Sequence, residues 1–211
     1  MNLSVSRLTV ALLVFGATAN AAPQLFGAPP FGADPDVLTQ PGRQIVGKER
    51  FITFDIANDV YVLDPAAFGI TDLQFVNDEV GNLPTGGVNF VVLQTTDNDA
   101  NPATPFGAGS AATLIANALT DPGPSPGFFI YFNSGLNLPR LVFSTDLSSA
   151  DADLKVVARM TNLLGQQAAL PTFTESNVSL TTVPEPSSLL LLSSAGILLA
   201  GYAARRKRAR S

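Results

Sequence analysis

Two apolar runs free of charged residues, one near each end of the chain, confine the folded part of this protein to its middle. The first covers residues 8–17 and the second covers residues 187–204. Such segments are typical of export signals and membrane-spanning helices rather than of a globular core. The stretch between them, roughly 160 residues, suits a single domain and is long enough to bury a hydrophobic core.

The N-terminal run has the parts of a secretory signal peptide. Arg7 precedes the apolar stretch 8–17, and Ala19 and Ala21 place small residues at the positions that signal peptidase reads. We therefore predict export across the inner membrane, with cleavage after Ala21 and removal of residues 1–21. The alternative, an N-terminal anchor or core helix, is disfavoured because the run is too short for a permanent span and an Ala-, Pro- and Gly-rich stretch follows it.

The C-terminal run lies between a proline-containing motif and a basic end. The motif is Pro184-Glu185-Pro186, directly before residues 187–204. As a helix, that run would reach about 27 Å at roughly 1.5 Å per residue, just enough to cross the hydrocarbon core of a bilayer. Five cations follow it: Arg205, Arg206, Lys207, Arg208 and Arg210. The positive-inside rule keeps these cations in the cytoplasm, so the body and the extended Pro-Glu-Pro motif lie across the membrane.

In this order, the three blocks resemble the PEP-CTERM sorting signal of Gram-negative bacteria that make exopolysaccharide. The resemblance covers residues 183–211 and implies that the chain is a substrate of exosortase, a transpeptidase-like membrane enzyme. It also implies a transient anchor in the inner membrane, followed by transfer of the body to the cell surface or the extracellular matrix. The alternative is a single-pass anchor that is never cut.

The body differs in charge from the whole chain, whose formal net charge is −5. Without the leader and the tail, it keeps six basic and 16 acidic residues. An acidic surface argues against binding nucleic acid or anionic lipid, because both require clustered Lys and Arg. We therefore predict no nucleic-acid partner.

Short β-type runs bounded by turn residues fill most of the body. The predicted strands are 51–56, 60–63, 70–76, 88–95, 128–132, 140–145, 153–160 and 177–182. A helix is predicted at 111–119 and a single helical turn at 66–68. Residues 22–47 are rich in Pro and Gly and lack a hydrophobic period, so we expect a flexible lead there, followed by a β-rich domain at 48–182.

These elements predict a mainly β fold, and two arrangements are open. We favour a single antiparallel β-sandwich-like domain with one short helix. The cluster Gly135, Asn137 and Pro139 supports it, since it has the residue types of a hairpin loop. In the alternative, an α+β mixed sheet, strand 88–95, helix 111–119 and strand 128–132 form a βαβ crossover.

The residue types of the chain restrict its chemistry. The sequence contains no His and no Cys, which excludes Ser-His-Asp and Cys-His nucleophilic systems and the zinc sites built from these ligands. A secreted carbohydrate-active enzyme with paired carboxylates remains as an alternative. With 14 Phe, 3 Tyr and no Trp, the aromatic residues are expected in the core rather than on a sugar-binding platform.

One polar loop contains a possible metal site. Asp97, Asp99 and Asn101 alternate as in the first half of a calcium loop, which presents oxygen ligands. The second half departs from that pattern, because Pro102 stands where the turn needs Gly and Ala108 where a bidentate Glu would close the shell. The alternative is a loop of Asx turns, in which carboxyl oxygens cap backbone N–H groups.

Together, these features predict a non-enzymatic protein of the cell surface or biofilm matrix, structural or adhesive and associated with exopolysaccharide. Signal peptidase and exosortase are its expected processing partners. No cofactor is expected, unless Ca²⁺ binds the 97–101 loop. The two alternatives are the carbohydrate-active enzyme and a calcium-stabilised binding module.

Overall fold

The computed structural model describes residues 23–28, 30–31, 42–121 and 126–182. Within these stretches the chain forms two mixed or parallel sheets and two α-helices. The strands are β1 (Pro23–Phe26), β2 (Ile45–Val46), β3 (Arg50–Ile52), β4 (Val60–Leu63), β5 (Phe75–Asp78), β6 (Phe90–Leu93), β7 (Gly127–Asn133), β8 (Leu138–Ser144), β9 (Leu154–Met160) and β10 (Val178–Leu180). The α-helices are α1 (Pro65–Phe68) and α2 (Ala108–Ala118), and 3-10 helices cover Val80–Asn82, Thr161–Leu163, Gln167–Thr172 and Glu175–Asn177.

The large sheet has seven strands in the order β2-β9-β8-β7-β6-β5, and β3 also pairs with β9. Strand β8 pairs antiparallel with β7 on one side and with β9 on the other. Strands β5, β6 and β7 run parallel, as do β2 and β3 against β9. The small sheet has the order β1-β4-β10 and is parallel throughout.

The mainly β class with short helices is confirmed, but the antiparallel arrangement is wrong for most of the sheet. Among the described strands, six of the eight pairings are parallel. Strand β6, helix α2 and strand β7 form the crossover of the alternative arrangement, since β6 and β7 are parallel neighbours. The physical reason is the long connection from β6 to β7, which contains α2 and brings the chain back to the same end of the sheet.

Two hydrophobic clusters provide that cover. On one face of the large sheet, Phe128 and Ile130 of β7 pack into a cluster with Tyr61 and Leu63 of the small sheet. Within this cluster, the ring of Phe54 stacks on Tyr61 with centroids 4.1 Å apart. On the other face, Phe129 and Tyr131 share a cluster with α2. The large sheet therefore forms the middle of three layers.

The hairpin prediction is confirmed, whereas the flexible lead is wrong where the structure describes it. Strands β7 and β8 pair from Gly127↔Ser144 to Asn133↔Leu138, so Gly135 and Asn137 lie in their turn, whereas Pro139 lies in β8 opposite Phe132. Two strands fall inside the expected lead: β1 pairs with β4, and β2 pairs with β9. Both partners are distant in sequence, so no local pattern marks these short strands. The remainder of the lead at 32–41 lies outside the described residues.

Neither predicted membrane segment falls within the described residues. The signal peptide at 1–21 and the sorting signal at 183–211, with its helix at 187–204, lie outside them. In the part of the chain that the structure describes, no helix combines the length and the hydropathy that a bilayer crossing requires.

The hydroxyl groups of two buried tyrosines give a test of the core. Tyr61 and Tyr131 are both fully buried, but the Tyr61 hydroxyl has no hydrogen-bond partner among the described residues. The Tyr131 hydroxyl lies 2.9 Å from Asn133 Nδ2, which donates to it. We expect Tyr61→Phe to raise the free energy of unfolding by about 1 kcal/mol, because an unpaired buried hydroxyl is costly. Tyr131→Phe should lower it by about 1–2 kcal/mol.

Denaturant unfolding of both variants and the wild type measures these changes. If Tyr61→Phe were as destabilised as Tyr131→Phe, the Tyr61 hydroxyl would have to make a stabilising hydrogen bond, which would contradict the prediction.

Candidate functional site

All Lys and Arg residues in the described part of the chain gather at one edge of the large sheet. This cationic edge consists of Arg43, Lys48, Arg50, Arg140, Lys155 and Arg159. The strand register explains the gathering, because Val46 pairs with Lys155, and Arg159 pairs with both Phe51 and Arg140. An acidic body thus carries its positive charge in one place.

One face of the cationic edge is neutralised in part by Glu49. Its Oε1 atom accepts from Arg140 Nη2 at 3.0 Å and also from Arg159 Nη2. The Glu49 side chain is only 10% exposed. Burial by itself would raise the pKa of Glu49, but its own backbone N–H and the two guanidinium groups together hold this pKa below 4.5, its ordinary value. Arg140 also donates to the Tyr131 hydroxyl at 3.3 Å, which ties the ion pair to β7.

A cavity of about 330 Å³ opens beside the opposite face of this edge. We call it the cationic pocket. Its charged lining is Lys48, Arg50 and Lys155, and its apolar walls include Phe26 and Phe68. Because Phe26 belongs to β1 of the small sheet, the pocket lies where the two sheets meet.

Two of the pocket cations are held by backbone carbonyl groups. Arg50 Nη1 donates to the Leu25 carbonyl oxygen at 2.6 Å, and its guanidinium carbon lies 4.7 Å from the centre of the Phe26 ring. Lys155 Nζ donates to the carbonyl oxygen of Gly47. Burial and then the charge of Lys48 lower the pKa of Lys155, while Glu49 acts in the opposite direction. The pocket therefore carries an excess of positive charge.

One aromatic ring is an exception to the prediction that Phe residues lie in the core. Phe51 is 68% exposed, and the guanidinium carbon of Arg159 lies 4.9 Å from its ring centre. A cation–π contact of this kind orients the ring at the surface. The cationic edge thus includes an exposed, oriented aromatic face.

A larger open groove of about 880 Å³ bears on the enzyme alternative. Its described lining contains one carboxyl group, Asp55, together with amides such as Asn162 and Gln166. The Asp55 carboxylate accepts from the backbone N–H of Ala57 at 3.0 Å and from Asn58 Nδ2 at 2.7 Å. This carboxylate therefore acts within a turn, and the groove does not bring together the two carboxyl groups of a glycosidase.

The polar loop at 97–101 contains the Asx turns of the second interpretation. Asp97 Oδ1 accepts from the backbone N–H groups of Asp99 and Ala100, at 3.0 and 3.2 Å. Asp99 Oδ1 accepts from the N–H of Asn101 at 2.9 Å. The hydrogen bonds that Asp97 accepts, first of all the one from the backbone N–H of Asp99, lower the pKa of Asp97. The described residues contain no group of three or more Asp and Glu side chains placed to hold a metal ion, and calcium ligation here stays a prediction.

The residues predicted for processing lie outside the described part of the chain. They are Ala19 and Ala21 at the signal cleavage site, Pro184, Glu185 and Pro186 of the motif, and Arg205, Arg206, Lys207, Arg208 and Arg210 of the basic end. The cationic edge, in contrast, was missed by sequence reasoning. The sequence places the six cations in two stretches, 43–50 and 140–159, but only the pairing of β2 and β3 with β9 brings these stretches together.

Comparison with known families identifies the C-terminal end. The sequence model of the PEP-CTERM protein-sorting motif matches residues 182–208. The chain is therefore an exported protein with a C-terminal signal for sorting to the cell surface. Within this class, it carries the substrate signal for exosortase processing. No curated protein and no solved structure matches the chain.

The ion pairs of Glu49 predict a pH-dependent contribution to stability. We expect Glu49→Gln to lower the free energy of unfolding by about 1–3 kcal/mol at pH 7, because two partly buried guanidinium groups lose their counter-charge. Since the pKa of Glu49 is lower in the folded than in the unfolded state, its stabilisation is present above pH 4.5 and is lost as the pH falls through the folded value. The difference between variant and wild type should therefore shrink in acid.

Unfolding of both proteins between pH 3 and 7 checks this expectation, with exposed Glu175→Gln as the matched control. If the difference in unfolding free energy between Glu49→Gln and the wild type stayed the same from pH 3 to 7, the ion pairs of Glu49 would not stabilise the cationic edge.

Proposed function

We propose that this protein is a non-enzymatic structural or adhesive component of the biofilm matrix that associates with exopolysaccharide. The observation that carries the proposal is the PEP-CTERM motif at residues 182–208. The PEP-CTERM sorting signal that the tail resembles is that of bacteria that make exopolysaccharide. Delivery to the surface places the body beside such polymers.

The cationic edge supports the association. Phe51 presents an exposed ring, and aromatic rings stack on the C–H faces of sugars. The guanidinium carbon of Arg159 lies 4.9 Å from the centre of that ring. Such a surface suits a polymer that offers apolar ring faces together with polar or charged groups.

The groove lined by Asp55 gives no support to the enzyme alternative. A glycosidase requires two carboxyl groups about 5–10 Å apart across a cleft. Asp55 is the single carboxyl group in the described lining and is engaged in a turn.

The sorting route predicts a specific change in the mature protein. In a bacterium with a functional exosortase, the surface form should lack the basic end at 205–210, and without the enzyme this end should be retained in the inner membrane. Glu185→Ala should also cause retention, whereas Glu175→Ala should be sorted as the wild type is. Cell fractionation and mass spectrometry of the mature chain measure both results. A surface form that still carries Arg205 and Arg210 would contradict the processing.

Exposed Phe51 predicts a contribution to polysaccharide association. We expect Phe51→Ala to weaken retention on immobilised exopolysaccharide from the producing bacterium by about 3–10-fold, the equivalent of roughly 1 kcal/mol of stacking. Leu164→Ala is the matched control, since Leu164 is also a large apolar side chain, 61% exposed, and ends the 3-10 helix after β9 rather than belonging to the cationic edge. Equal retention of both variants and the wild type would exclude a role for the Phe51 ring.

A further inference from the structure

We propose that the cationic pocket binds the carboxylate of a uronic acid unit in an acidic polysaccharide. This inference rests on the proposed association with exopolysaccharide and names its chemical class and its site. It assigns a binding role to Lys48, Arg50 and Lys155, with Phe26 and Phe68 as apolar contacts.

The positive charge of the pocket is compensated only in part, because the charge of Glu49 acts on Lys155 from beyond salt-bridge distance. On one face of the cationic edge, Arg140 and Arg159 share the carboxylate of Glu49. Across the described residues, no Asp or Glu forms a salt bridge with Lys48, Arg50 or Lys155. Backbone carbonyl groups position two of these cations but do not cancel their charge. A bound anion would relieve the mutual repulsion of the three cations.

The charged groups of Arg50 and Lys155 are also held in position within the pocket. Arg50 is held by the Leu25 carbonyl group and by the Phe26 ring, and Lys155 is held by the Gly47 carbonyl group. Both charged groups are thus fixed before any ligand arrives, which reduces the entropy lost on binding. Long cationic side chains without such contacts would be mobile at the surface.

The shape and polarity of the pocket favour a sugar acid over an inorganic anion. A volume of about 330 Å³ falls at the lower end of small-ligand sites, roughly 300–1,000 Å³. Sulfate or phosphate would use the three cations but leave the walls formed by Phe26, Phe68 and Val157 without a contact. A pyranose ring with a carboxylate uses both, since its C–H face packs on the apolar wall while the carboxylate meets the cations.

The experiment measures binding of polygalacturonate to the full chain, purified in an uncharged detergent. The fully methyl-esterified polymer is the matched ligand control, because it has the same sugar backbone without the charge. We expect the ester to bind at least tenfold more weakly. Lys155→Met and Lys48→Gln should each weaken polygalacturonate binding by about tenfold, the loss of one charge-assisted contact. Sodium sulfate and sodium phosphate, tested separately, should compete only at concentrations that act by screening.

Gln74→Glu is the matched protein control, because it changes the net charge by the same amount as Lys155→Met. Gln74 is exposed and directly precedes β5, at the opposite edge of the large sheet. This variant should bind polygalacturonate as the wild type does. Thermal unfolding of each variant verifies folding, so that a loss of binding can be assigned to the pocket.

Three results would overturn the proposal. They are unchanged binding by the Lys155 and Lys48 variants, equal binding of the methyl ester, or tight stoichiometric binding of sulfate or phosphate alone. A separate assay with native exopolysaccharide distinguishes failure of the pocket from failure of the proposed function. Wild type that is retained on the native polymer but ignores polygalacturonate rejects the pocket only. Wild type that is not retained on the native polymer rejects the association itself.

Discussion

Burial of β7 on both faces is the constraint on which the rest of the structure depends. Every residue from Gly127 to Asn133 is buried. One face requires helix α2 and the other requires the small sheet, so the three layers follow from a single apolar run. Gly127 begins the strand because a Cβ atom there would come within 2.5 Å of the Asn89 carbonyl oxygen. The close approach allows Phe128 N–H to donate to that oxygen at 2.8 Å.

The same layering creates the cationic edge. Strands β2 and β3 are too short to cover β9 with a long ladder, and both lie parallel to it with a loop between them. That loop carries Lys48 and Glu49, one toward the pocket and the other toward the ion pairs. Positive charge that is concentrated this way can attract a polyanion locally although the body as a whole is acidic.

The local sequence pattern identifies the strands and helices of this fold but not the partners of the strands. The runs 60–63, 128–132 and 153–160 are apolar enough to identify β4, β7 and β9 from local pattern alone. Parallel partners are joined by long connections, so no turn motif reveals them, whereas the hairpin between β7 and β8 was predicted from its loop. Strands β1 and β2 and the gathering of the six cations depend on pairing across long stretches of chain, which composition cannot show. The sorting motif could be recognised from the sequence because its three blocks are adjacent, and the family model matches residues 182–208.

The small sheet sets the order in which folding can finish. Its central strand β4 is flanked by β1 and by β10, which are the first and the last strands of the described chain. An exported chain that crosses the membrane from its N-terminus presents β1 and β4 early, but β10 emerges only just before the motif at 182–208 reaches the membrane. Until then, one edge of β4 and the cluster around Tyr61 and Val178 remain open. In such an export, the small sheet can close only when the chain next to the sorting motif has crossed.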